Sequence, residues 1–162
     1  MLRPYTKTDF PFLEKWVDSA ELLLQFAGTD FSWPLTEKQL SDYQNLHPDR
    51  SFYMGTTGNQ VPFAFGEIIP QENNIPRLGR IIIGDSASRG KGLGRQFVNL
   101  LLEECWSKNF KQAVDLFVWD KNTAAIKCYQ AVGFIYNPEK EITLTIENQS
   151  YNIHRMTYTF PG

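Results

Sequence analysis

The spacing of apolar and polar positions changes several times along the chain, and each change marks a new element. Residues 1–4 read as a short strand. Thr8 and Asp9, side chains of the helix-capping type, precede Phe12-Leu13 and Trp16-Val17 at helical spacing. Residues 22–26 continue as a second short helical piece, and residues 28–35 form a loop rich in aromatics. Thr36 followed by Gln39 is a capping-box pattern, so a helix runs from there to about Asn45. Residues 52–57, 63–69 and 78–84 are β-prone runs separated by the turn formers Gly58-Asn59 and Asn73-Asn74. Leu93, Phe97, Leu100, Leu101 and Cys105 then recur at threes and fours, a helix with one buried stripe. Residues 113–119 suit a buried strand. Asn122 caps a helix over 123–132, and Gly133 stands where that helix stops. Two closing strands, 142–147 and 151–160, flank an Asn-Gln-Ser turn.

The middle of the chain thus reads strand–helix–strand–helix, which makes its strands parallel and joined by a right-handed crossover. With further strands on either side, the fold class is α/β or α+β. No repeat, low-complexity tract or linker divides the 162 residues, so one domain spans 1–162 with a full core.

Arg89-Gly90-Lys91-Gly92-Leu93-Gly94 lies between the strand carrying Ile81-Ile82-Ile83 and the helix that follows. Its glycines let successive N–H groups turn inward, and the helix start adds unpaired N–H groups and positive dipole. Such a loop is a socket for a phosphate or pyrophosphate, with Arg89, Lys91 and Arg95 beside it. A kinase-type P-loop is excluded, because no Ser or Thr follows Lys91 in place to hold magnesium. A dinucleotide fingerprint fits poorly, because the glycine spacing is wrong. A plain strand-to-helix turn remains open on these residues alone.

Composition narrows the field further. The net charge is −2 and no basic block occurs, which argues against a nucleic-acid partner. The N-terminal residues carry charge without an apolar core, and no run approaches the length of a membrane span, so a cytoplasmic protein without signal peptide or membrane contact is expected. Cys105, Cys128, His47 and His154 have no ligand or triad spacing, so no metal is expected and the thiols read as buried and inert.

Arg89-x-x-Gly92-x-Gly94 after an apolar strand, then Asn122-x-x-Ala125-x-x-x-Tyr129-x-x-x-Gly133-Phe134 on the next helix, resembles the GNAT-type N-acetyltransferase superfamily. The resemblance covers residues 78–134. It implies a mixed, mostly antiparallel sheet of about six or seven strands, with helices on both faces and splayed parallel central strands. It further implies acetyl-CoA as cosubstrate and direct transfer of acetyl to a primary amine in a ternary complex. A non-catalytic acyl-CoA-binding module with the same fold is the alternative. On this resemblance Ile82, Ile83 and Gly84 line the pantetheine arm, and Arg89, Gly90, Lys91, Gly92, Leu93, Gly94 and Arg95 hold the pyrophosphate. Asn122 and Ala125 close the cofactor site, and Tyr129 is the general acid for the departing thiolate. Lys127 reads as a solvated helix lysine.

The general base and the acceptor wall carry less signal. Glu67, taken by alternation to share an apolar strand face with Phe63 and Phe65, is the candidate base, since a carboxylate on an apolar face has a raised pKa; a glutamate at the strand end reaching solvent is the alternative. Asp85 and Asp120 are poorer candidates, each at the start of a loop. By resemblance the N-terminal helices and loop form the acceptor wall, supplying Phe26, Asp30, Phe31 and Trp33, with residues 151–154 from the last strands. Aromatics beside an acidic group suit a cationic amine. The acceptor is a small-molecule amine or a protein amino group, and the protein is a monomer or homodimer.

Overall fold

A computed structural model describes residues 1–84 and 86–162, with the backbone alone at Ser86. Asp85 therefore lies outside the described residues. The strands are β1 (Leu2–Pro4), β2 (Ser51–Thr56), β3 (Pro62–Ile69), β4 (Arg77–Ile83), β5 (Ala113–Trp119), β6 (Ile135–Ile146) and β7 (Gln149–Thr159). They form one sheet in the order β1-β2-β3-β4-β5-β7-β6. Every neighbouring pair is antiparallel except β4–β5. The helices are α1 (Phe10–Trp16), α2 (Ala20–Ala27), α3 (Glu37–Leu46), α4 (Leu93–Ser107) and α5 (Thr123–Val132).

The sheet separates two apolar layers. On one face Leu13, Trp16, Leu23, Phe26, Leu40 and Tyr43 of α1–α3 pack on Phe52, Met54, Phe65 and Ile82. On the other, Phe97, Val98, Leu101 and Cys105 of α4 join Tyr129 of α5 over Ala64, Ile68, Leu78, Val114 and Leu116. The mixed sheet with helices on both faces matches the sequence expectation. The closing hairpin does not: β6 begins at Ile135, directly after α5, because irregular pairing between Asn137 and Ile142 carries the strand through Pro138.

Capping follows local chemistry, with two departures. Thr36 accepts from Gln39 N–H at 3.2 Å, as the sequence suggests. The Gln39 side chain, however, reaches Ser32 and Pro34 and fastens the 32–34 loop instead of completing a capping box. Asp9 likewise turns back, accepting from Arg3 at 2.7 and 2.8 Å and from Thr6 N–H at 2.9 Å.

Two strand irregularities shape the centre. Gly55 pairs with Ala64 but Thr56 pairs with Pro62, so Phe63 is an extra residue in β3. Phe63 and Phe65 consequently enter opposite layers, which corrects the expectation of a shared face. In β4, Ile82 pairs with Phe65 and Gly79 with Glu67, so Arg80 and Ile81 together face Gly66. This bulge holds Arg80 at φ +48, a conformation costly for a residue with a Cβ.

Helix α4, which follows the glycine loop, is seated through Phe97. A Cβ on Gly55 would stand 2.7 Å from the Phe97 ring, which is fully buried and has no room to retreat. Gly55→Ala is expected to lower stability by about 2 kcal/mol, or about 4–8 °C in melting temperature. An unchanged melting curve would show that the ring adapts.

Candidate active site

Strands β4 and β5 pair only at Arg77↔Asp115 and Leu78↔Leu116, then part. Two cavities flank the resulting opening. The first, about 600 Å³, runs beside the glycine loop and α5. The second, about 440 Å³, lies between α2, β4, β5 and the closing hairpin. They share Gln25, Ile81, Asn122 and Tyr129.

The first cavity is lined by Ile82, Ile83, Arg89, Gly90, Gly92, Gly94, Arg95, Asn122, Ala125 and Tyr129, among others. Gly90 and Gly92 have φ of +76 and +79, so the sequence turns its loop where only glycine does so cheaply. Gly92 is the N-cap of α4, and its carbonyl accepts from Gln96 N–H at 3.1 Å. Of the sequence candidates, Gly84, Lys91 and Leu93 stand away from this lining. The Gly84 N–H is already bound to Phe63 O at 2.7 Å, Lys91 is exposed, and Leu93 packs against the core. Arg89 turns back to Ile83 O and Gly84 O at 3.1 and 3.3 Å, tying the loop to the end of β4.

Replacing Gly92 with valine places a β-branched side chain at a left-handed position. A roughly tenfold loss of acetyl-CoA affinity is expected, from about 1–2 kcal/mol of backbone strain. Calorimetry checks it, and wild-type affinity would free the loop of this requirement.

Tyr129 sits where the cavities meet. Its ring packs on Phe134, while its hydroxyl makes no hydrogen bond among the described residues. Burial raises its pKa well above the ordinary phenol value, so it stays protonated. Asn122 caps α5 by accepting from Ala125 N–H at 3.3 Å. Cys128 also lines the first cavity, but burial raises its pKa and outweighs the opposing effect of Arg95. It remains a thiol, the inert form.

Glu67 neither reaches solvent nor stands on a purely apolar face. It is fully buried, with Arg80 donating to it at 2.6 Å and Tyr43 at 2.8 Å. Arg80 also pairs with Asp30 and lies 4.3 Å from the centre of the Tyr43 ring. Burial, followed by the Glu67 charge, pushes the Tyr43 phenol up to about 12. Glu67 lines neither cavity. Of the other base candidates, Asp120 takes its backbone N–H to Asn152 O at 2.9 Å at the end of β5.

The residues expected to form the acceptor wall are brought together only in part. Asp30, Phe26 and Ile153 line the second cavity, but Phe31 and Trp33 do not. Phe31 is buried against Tyr43 and beneath Arg80, while Trp33 is 46% exposed. Asp30 does not give the cavity an acidic character, since Arg80 is its partner. The sequence reading missed Arg50, Arg77, Arg80 and His47, all on the wall. One signal was present: Arg77 and Arg80 interrupt an otherwise apolar strand run.

The sequence pattern of the acetyltransferase (GNAT) family matches residues 19–134, well over half of the chain. The chain belongs to the GNAT acetyltransferase family. It is an N-acetyltransferase with acetyl-CoA as donor. The spermine/spermidine N(1)-acetyltransferase of Bacillus subtilis (strain 168) is 26% identical over 108 residues, covering 64% of this chain and 71% of that protein. Among solved structures, spermidine N-acetyltransferase from Vibrio cholerae in complex with CoA and spermine superposes with a TM-score of 0.79 at 17% identity. That match covers 98% of this chain and 94% of the other. Aminoglycoside acetyltransferase AAC(6')-Ib in complex with coenzyme A and kanamycin gives a TM-score of 0.73 at 18% identity, covering 98% and 94%. These structural likenesses establish a shared fold.

Proposed function

We propose that this GNAT acetyltransferase passes acetyl from acetyl-CoA directly to a small amine, both bound at once, with Tyr129 as general acid. The observation that carries this reading is the meeting of two cavities at Tyr129. The loop Arg89–Gly94 and Arg95 would hold the pyrophosphate, the former by amide N–H groups and charge, and the parted stretch of β4 would pair with the pantetheine arm. The amine nitrogen attacks the thioester carbonyl, the carbon–sulfur bond breaks, and the Tyr129 phenol protonates the sulfur as it leaves. The amine's proton passes to water. Glu67 acts at a distance in this scheme, fixing Arg80 and Tyr43 beside the acceptor cavity.

The relatives' names include polyamine and aminoglycoside acetyltransferases, so amines of several kinds belong in the test. Purified protein with acetyl-CoA is expected to release free thiol saturably with at least one amine. Tight CoA binding with no release across a broad panel would favour the non-catalytic alternative.

A further inference from the structure

The second cavity carries more positive charge than its own carboxylates cancel. Arg50, Arg77 and Arg80 all line it, together with His47. Arg80 is paired twice, to Glu67 and to Asp30. Arg50 donates to the neutral Tyr43 hydroxyl and has no ion pair among the described residues. Arg77 makes neither a hydrogen bond nor an ion pair among them, and its Nε is buried without a partner. Its guanidinium stacks 4.8 Å from the centre of the Phe117 ring.

Arg77 has a natural partner that it does not use. Asp115 is its register neighbour on β5, but that carboxylate accepts from Arg155 and from Thr157 at 2.6 Å. Three arginines therefore line the cavity, where Asp30 is the carboxylate among the described lining residues, and Glu67, behind the wall, is paired with Arg80. Burial, and then the nearby charge of Arg80, hold the Arg77 pKa below the ordinary arginine value. A half-buried guanidinium without a counter-charge is costly, and a ligand oxyanion relieves that cost.

We propose that the acceptor is an amine carrying a carboxylate or similar oxyanion, bound by Arg77 with Arg50 beside it, while its amine faces Tyr129. The inference rests on the N-acetyltransferase reading above and names the acceptor class. Arg77 lies at the closed end of the β4–β5 opening, and Ile81 borders both cavities. Four positions of strand separate them, at most about 13 Å, and the reach of the Arg77 side chain takes up part of that, so the ligand's oxyanion and amine lie closer together than this. A small amino acid-like molecule meets that limit. The apolar walls Leu116, Val118 and Ile153 take its carbon skeleton. A polyamine would instead bring more positive charge against Arg77 and Arg50.

The test measures thiol release from acetyl-CoA with the proteinogenic amino acids, their carboxamides, aminomethylphosphonate, spermidine and kanamycin. The wild type is expected to prefer a carboxylate over its own carboxamide by at least about tenfold in kcat/KM. Aminomethylphosphonate separates a carboxylate site from one that takes any oxyanion. Arg77→Met should erase that preference by raising the acceptor KM, leave the acetyl-CoA KM unchanged, and leave the melting temperature equal or higher. Arg77→Lys should restore part of the preference. If spermidine or kanamycin is the best acceptor, or Arg77→Met keeps the preference, the anionic acceptor is refuted while the acetyltransferase reading stands. If no amine releases thiol, that reading fails instead. Calorimetry of the same amino acids on both proteins then decides the site: Arg77-dependent binding supports it, and its absence overturns it.

Discussion

Tyr129→Phe is expected to lower kcat by about 10²–10³-fold with little change in the KM for acetyl-CoA, as for loss of a positioned general acid. The ring stays, with its packing on Phe134, so the fold and the first cavity keep their shape. Only the hydroxyl goes, and with it the proton for the leaving thiolate. The phenol pKa is raised by burial, so the acid form is complete below the ordinary value of 10 and persists above it. In a pH–rate profile, Tyr129 therefore contributes no alkaline fall below about pH 10. Unchanged turnover in the phenylalanine variant would remove Tyr129 from the chemistry.

Glu67→Gln should act first on stability. The carboxylate neutralises Arg80 inside the protein, where the remaining partner, Asp30, has a side chain that is 56% exposed. Removing the buried half of the arrangement leaves Arg80 short of counter-charge and sets an amide N–H against the Arg80 or Tyr43 donor. A loss of about 3 kcal/mol follows, or about 6–12 °C in melting temperature. Assayed below its own melting range, the variant should still show the rise of rate with pH that deprotonation of the attacking amine gives the wild type. Disappearance of that rise would return Glu67 to the role of general base. A melting temperature within a degree or so of wild type would show that Asp30 alone suffices for Arg80.

Both predictions bear on how far the sequence could be read. The cofactor side was legible because its chemistry is local. A glycine loop between a strand and a helix, and a tyrosine two turns along a capped helix, are fixed by spacing along the chain. Helix α5 begins at Thr123, after its Asn122 cap, and ends before Gly133, where spacing alone placed it.

The acceptor side was not legible, and β4 shows why. Leu78 and Ile82 are four residues apart, so alternation puts them on one face of the strand. They lie in opposite layers, because the bulge at Arg80 and Ile81 inserts one residue and reverses every side chain beyond it. The extra residue at Phe63 reverses β3 in the same way, which is how Glu67 came to be read as a neighbour of Phe63. A bulge is set by pairing between strands distant in sequence, and no periodicity within one strand announces it.

The sequence by itself determined the donor: the residues from Arg89 to Gly94 and from Asn122 to Phe134 carry the family and its acetyl-CoA chemistry. Tertiary structure alone decided the charge of the second cavity, the proposed acceptor site. Asp30 and Glu67 are drawn to Arg80, and Asp115 is drawn to Arg155, across long sequence separations. Charges cancel in space, so the guanidinium of Arg77 is left over only once the strands have brought every other partner together.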